Sequence, residues 1–282
     1  MMAATLPIAR MQPYGIEHAL VLALTAVLIV ALPIAVRRAK DTARVERWLR
    51  RAGWAMLIAT LLWLAWGMLP ANWDVDESLP FHFSDALRIT TGIALITRSG
   101  WAIVVSYFWG LTLNLQAVLT PDLNYFQVPA LEFAMYWLLH LAALLAPVVL
   151  VWGLGYRPTW SGYGTAFALT VGWAGVALVA NAVTGANYGY LSRGPVGPSI
   201  LDALGPWPVY ILWEAVLIAV VWALMTWPWT LGRHTASAPI ADRLALVRRR
   251  RQPGVSVRSG GRIQGSTARA RGEMIGDGCD GH

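Results

Sequence analysis

Seven stretches of mostly apolar residues, each near the length that crosses a bilayer, dominate this sequence: about 17–36, 52–70, 82–97, 101–119, 129–152, 163–184 and 207–231. A hydrocarbon core about 30 Å thick needs roughly 20 such residues per helix. Helices are favoured there because each backbone N–H and C=O must be satisfied within the segment. Composition agrees. Of 282 residues 57% are hydrophobic and only 13% charged, with a mean hydropathy of +0.51, which leaves too little polar surface to coat a water-soluble globule. The expected fold is all-α: a polytopic membrane helix bundle of about seven transmembrane helices, forming one domain over residues 1–231. Residues 232–282 change abruptly to Arg, Gly and Ser, a composition that predicts a disordered basic tail.

Basic residues fix the expected orientation. Arg37, Arg38, Lys40, Arg44, Arg47, Arg50 and Arg51 fill the first connection, Arg98 and Arg157 mark the third and fifth, and ten arginines lie from Arg233 onward. Nineteen cations thus fall on one side, against Arg10 and Arg193 on the other, with Arg88 inside a span. The positive-inside rule then predicts the N-terminus outside and the C-terminus inside. The acids Asp74, Asp76, Glu77, Asp122 and Asp202 all lie in the outer connections. The first basic cluster follows the first apolar run instead of preceding it, so that run reads as a retained helix and not a signal peptide.

The net charge of +7 is therefore an orientation signal, and no nucleic-acid partner is expected. The Arg248–Arg251 run has no interleaved aromatic residue to stack bases and reads as an anchor on anionic lipid. Trp54, Trp73, Trp101, Trp207, Trp227 and Trp229 lie near span ends, as interfacial belts require. Ala168, Gly172 and Gly175 on the sixth span are expected to permit close helix approach.

Ionisable groups within spans are costly and point to function by default. Here they crowd towards the outer half. His82, Ser84, Asp85 and Arg88 open the third span; Asn114 and Gln116 close the fourth; Glu132, Tyr136 and His140 recur every four residues on the fifth. His82, Asp85 and Arg88 recur every three, and such spacings place each set on one helix face. Two polar stripes that both avoid lipid are expected to face each other across an outward-facing cavity. The Gly- and Pro-rich stretch from Gly185 to Pro208, carrying Asn187, Tyr188 and Arg193, reads as a cap over it or a plain connector. The single cysteine, Cys279, excludes an internal disulfide framework. Asp74, Asp76 and Glu77 read as solvated loop acids, so no metal and no cofactor is expected.

Four motifs carry a resemblance: LPFHFSD (Leu79–Asp85), YFWGLTLNLQAVLTPDL (Tyr107–Leu123), His140 in MYWLLH, and NYGYLSRGPVGPSILDALGPWPVYIL (Asn187–Leu212). They resemble the bacterial YwaF-type integral membrane family, from the first helix to the seventh. The chain is more distantly similar to a eukaryotic transmembrane family implicated in acyl transfer to ether lysophospholipids, and through it to Thr/His membrane hydrolases of fatty-acid esters. The resemblance implies a multi-pass protein of the bacterial cell membrane whose partners are membrane lipids, with His140 as the shared histidine. The acyltransferase branch has a Cys where this chain has Phe81, and YwaF-type members often have a Cys at Ser84, so no cysteine nucleophile remains.

The residues support two classes of function. In one, His140 is the general base of a lipid acyltransferase or hydrolase, with Ser84 or His82 beside it, Glu132 or Tyr136 at the imidazole, and Asn114, Asn187 or Arg88 at an oxyanion. Asp85, Gln116, Tyr188 and Arg193 complete the expected substrate-binding set. In the other, the same residues bind a small amphiphile in a transporter, a receptor or a structural membrane protein. Oligomeric state is open at this level.

Overall fold

A computed structural model describes residues 9–121, 123–194 and 203–231. Asp122, Asp202 and the basic tail with Arg248–Arg251 lie outside the described residues. The elements follow the apolar windows. In chain order they are β1 (Ala9–Arg10), α1 (Ile16–Arg38), α2 (Thr42–Gly67), α3 (Phe83–Thr97), α4 (Gly100–Leu111), α5 (Leu113–Leu119), β2 (Asn124–Tyr125), α6 (Pro129–Val148), α7 (Trp160–Thr184) and α8 (Val209–Thr230). Five passages are long and apolar enough to cross a membrane: α1, α4 with α5, α6 with its extension to Gly153, α7 and α8. The protein is an all-α polytopic membrane bundle, and α2 and α3 supply the second and third rods.

Contacts at the two ends show the rods alternating in direction. At one end Arg98 of the α3 terminus lies 3.2 Å from Glu46 of α2, and Arg37 of α1 donates to the Trp152 carbonyl beyond α6. At the other, β1 pairs antiparallel with β2, Ala9 opposite Tyr125, and Asn187 after α7 meets Asp76 after α2. The first end collects Arg37, Arg38, Lys40, Arg44, Arg47, Arg98 and Arg157 and is the basic end. The second holds Asp74, Asp76 and Glu77 and is the acidic end.

Three expectations are corrected. The second rod begins at Thr42 instead of residue 52, because Asp41 accepts a 2.8 Å hydrogen bond from the Arg44 backbone N–H and caps the helix within the basic cluster. The fourth window is two helices, broken at Thr112 (φ −123°, ψ −76°). Ala168, Gly172 and Gly175 face outward, and a Cβ on either glycine would meet nothing within 4 Å. Close approach occurs elsewhere. A Cβ at Gly53 would lie 2.9 Å from the Gly92 carbonyl oxygen, and one at Gly110 only 2.6 Å from that of Ala143.

These contacts bring α2 onto α3 and α4 onto α6, which makes α3, α4 and α6 the centre of the bundle. There Phe108 stacks on Trp222 at 4.8 Å, and both are fully buried. The periphery is apolar and exposed, for example Leu20, Val27 and Val30 on α1 and Val179 and Val183 on α7, as surfaces bathed in lipid are. Replacing Gly110 by Ala forces a methyl into the Ala143 backbone, where nothing flexible can yield. Overpacking of this kind costs about 1–3 kcal/mol, so Gly110→Ala should lower the thermal unfolding midpoint in detergent, while Gly172→Ala should leave it unchanged.

Candidate functional site in the bundle core

The first turns of α3 carry three polar residues three apart, Asp85, Arg88 and Thr91, all buried. Asp85 Oδ1 accepts from Arg88 Nη1 at 3.2 Å. From the same guanidinium, Nη2 reaches His140 Nε2 on α6 at 3.0 Å. The break at Thr112 directs Asn114 to the other edge of this imidazole. Its amide nitrogen donates to the His140 carbonyl at 2.9 Å and its Oδ1 lies 2.7 Å from His140 Nδ1. An amide oxygen only accepts, so Nδ1 carries the proton, and Nε2 presents a lone pair to an arginine that only donates. His140 is thus a neutral imidazole of fixed tautomer between an orienting amide and a cation.

Tyr136 lies under it, ring centroids 4.4 Å apart, with its hydroxyl on the Ala117 carbonyl at 2.8 Å. One turn beyond Arg88, Thr91 Oγ1 and Ser106 Oγ of α4 are 3.0 Å apart. Arg88 is 7% exposed, yet its Nε–H is buried with no hydrogen-bond partner among the described residues. The site therefore holds one unused donor, Nε–H, while the Nε2 lone pair of His140 is engaged by Nη2.

Depth explains how this set meets. Arg88 is five residues into α3 and His140 eleven into α6, an offset of about 9 Å at 1.5 Å per residue. Helical side chains lean back towards their own N-terminus, so the reach of the arginine does not close that gap. The short α3 starts deeper in the bundle than α6.

The remaining candidates lie outside this network. Ser84 is half-buried, and its hydroxyl has no hydrogen-bond partner among the described residues; no bond joins it to His140. His82 Nε2 donates to the Asp76 carbonyl at 2.7 Å and the ring sits edge-on to Tyr188. Glu132 accepts from the backbone N–H groups of Phe126, Gln127 and Val128 at 2.9, 2.9 and 3.3 Å, which pins the loop before α6 and leaves the carboxylate off the imidazole. Gln116 is exposed. Asn187, Tyr188 and Arg193 knit the two acidic-end loops: Asp76 accepts from the Asn187 backbone N–H at 2.8 Å and from Arg193 at 3.2 Å. Tyr188 is held by Asn181 through its own N–H and C=O, at 2.7 and 3.1 Å, and its hydroxyl donates to the Val75 carbonyl. The sequence set thus divides into a core network (Asp85, Arg88, Asn114, Tyr136, His140) and a cap (His82, Asn187, Tyr188, Arg193), with Ser84, Gln116 and Glu132 in neither.

Asp76, read in the sequence as a solvated acid, and the Thr91–Ser106 pair were not among the candidate site residues. A loop acid reads as solvated, and hydroxyls on an apolar helix read as back-bonded; only the i, i+3, i+6 continuation from Asp85 pointed to Thr91.

With this geometry established, comparison with known proteins gives a family. The pattern of the TMEM164 family matches residues 13–226. The chain belongs to the TMEM164 family. That match covers α1 to α7 and most of α8, so the core network and the cap both lie in the shared part of this membrane family. A protein of Treponema pallidum (strain Nichols), described as uncharacterized, is 29% identical over 224 residues, covering 78% of this chain and 91% of that protein. No solved structure matches.

Removing Asp85 leaves the Arg88 charge buried without its carboxylate, a loss of about 3–5 kcal/mol. Asp85→Ala should therefore unfold well below the wild type in detergent, and Asp85→Leu with Arg88→Met should recover part of the difference. Tyr188 gives a pH signature. Burial, reinforced by the charges of Asp76, Glu77, Asp74 and Asp85, pushes its phenol up to about 12 from 10. The folded state thus favours the neutral phenol: its contribution to stability is complete below pH 10 and is lost as pH rises through 12. An alkaline absorbance titration should show tyrosinate formation extending to about 12, and Tyr188→Phe should remove one tyrosine's share of that late rise.

Proposed function

We propose that this TMEM164 family member acts on acyl esters of membrane lipids, as an acyltransferase or hydrolase, with His140 as general base. The observation that carries the reading is the double hold of Asn114 on His140. By bonding Nδ1–H and the backbone carbonyl of the same residue, the amide aims the Nε2 lone pair at the interior, the arrangement in which an imidazole accepts a proton from an attacking hydroxyl. Arg88 stands opposite. With an ester bound between them, its N–H groups are placed to leave Nε2 and donate to the oxyanion of a tetrahedral intermediate.

The attacking oxygen belongs to water or to the hydroxyl of an acceptor lysolipid. His140 takes its proton as the new C–O bond forms, then returns it to the leaving alkoxide as the old ester bond breaks. The resemblance to ether-lysophospholipid acyltransferases and fatty-acid ester hydrolases supports the same chemistry. The location that goes with it is a bacterial cell membrane, with the acidic end outside.

A second reading has its own observation. Arg88 occupies the lone pair that a base needs, which suits a receptor or transporter that binds an amphiphile and leaves it unchanged. Purified protein in nanodiscs, supplied with a phospholipid and a lysophospholipid and followed by mass spectrometry, separates the two. Acyl release or transfer should fall about 100-fold or more in His140→Ala, in line with loss of a general base, and by less in Asn114→Ala. Undiminished turnover in a folded His140→Ala protein would sink the mechanism; lipid retention without turnover in the wild type would favour binding alone. Ser84→Ala decides the nucleophile: unchanged turnover assigns attack to water or acceptor lipid, and loss assigns it to Ser84.

A further inference from the structure

At the basic end, remote from the acidic-end cap, a crevice of about 720 Å³ opens between α1, α2 and α6, within the range of about 300–1,000 Å³ that small-ligand sites occupy. Its walls are apolar: Leu32 and Val36 of α1, Met56 of α2, Leu95 of α3, Leu145 of α6 and Val149 at the start of its extension. Along α6 and into its extension they run from Ala142 to Val149, about 10 Å at 1.5 Å per residue. Its mouth is different, lined by Lys40, Asp41, Arg44 and Trp48. Asp41 is already engaged, capping α2 through the Arg44 backbone N–H and facing the Arg44 and Arg47 guanidinium groups at 3.7 and 3.9 Å. Lys40 is exposed and has no hydrogen-bond or ion-pair partner among the described residues, and Trp48 is 63% exposed beside it.

An apolar trough closed by cations and a tryptophan at one end has the polarity profile of one lipid molecule standing at a membrane interface. We propose that this crevice is a binding site for an anionic phospholipid, its phosphate at Lys40 and Arg44 and an acyl chain between α1, α2 and α6. The charge selects the occupant. A second copy's apolar helix would bury Lys40 without a counter-charge, whereas a phosphate supplies one, as basic pockets between transmembrane helices do for anionic headgroups. The proposal does not rest on the catalytic reading of His140, since no residue is shared.

The test uses the full chain in detergent, titrated with phosphatidylglycerol or phosphatidylcholine of identical acyl chains, with bound lipid counted by native mass spectrometry. The wild type should retain phosphatidylglycerol over phosphatidylcholine by about fivefold or more, the scale set by a basic residue at an anionic headgroup. Lys40→Gln with Arg44→Gln, which leaves the backbone cap of α2 intact, should abolish that preference. Ala35→Leu with Ala52→Leu, narrowing the trough, should reduce retention of both lipids. Equal retention of the two by the wild type overturns the proposal. So does a preference that survives Lys40→Gln/Arg44→Gln but disappears when Arg248, Arg249, Arg250 and Arg251 become Gln, which would assign the lipid to the tail.

Discussion

A guanidinium inside an apolar bundle has to be neutralised and hydrogen-bonded where it stands, because water is not there to do it. Arg88 is that group, and much of the architecture follows from accommodating it. Asp85 on the previous turn cancels its charge, His140 accepts from it across the α3–α6 interface, and Asn114 fixes the tautomer that makes His140 an acceptor. Each partner comes from a different passage. The depth of α3, the break between α4 and α5 and the face that α6 turns inward are thereby tied together.

Above this network the acidic-end loops form a second polar system with little direct share in the first. Asp76 is its hub, joining Asn187 and Arg193 after α7 to the loop after α2, while Asn181 and Tyr188 anchor it to α7. His82 belongs to this cap and Asp85, three residues on, to the core. The first turn of α3 is therefore the point where the two systems meet. Phe81 packs its ring on Tyr188 and gives its carbonyl to Trp173 of α7, so the N-terminus of α3 is tied to α7 as well as to the loops.

Hydropathy is a local property, and the parts of the fold governed by it were legible in the sequence: α1, α3, α6 with its extension to Gly153, α7 and α8 begin and end within about three residues of the apolar windows. The parts governed by single side chains were not. No window registers Asp41 starting α2 ten residues early, or Thr112 interrupting a continuous apolar run. Small residues on α7 suggested close packing, but smallness permits contact without requiring it, and the contacts formed at Gly53, Gly92 and Gly110. Helical spacing placed Tyr136 with His140 and Asp85 with Arg88 correctly on shared faces. It did not say how deep one helix starts relative to another, and that relative depth sets Arg88, not Ser84, against the imidazole.

Past Val148, α6 widens into a π-helical turn over Val149–Gly153, closed by the Leu154 N–H on the Val149 carbonyl at 2.9 Å. A π turn holds about one residue more than an α turn, so residues within it point in directions that an uninterrupted α-helix would not give them. The same rod thereby presents two differently aimed surfaces: one carries His140 to α3 and α5, the other brings Gly153 against Val36 of α1. The wide turn ends the rod, so the α-helical stretch holds His140 in the polar core while the π-helical end packs its Gly153 on α1.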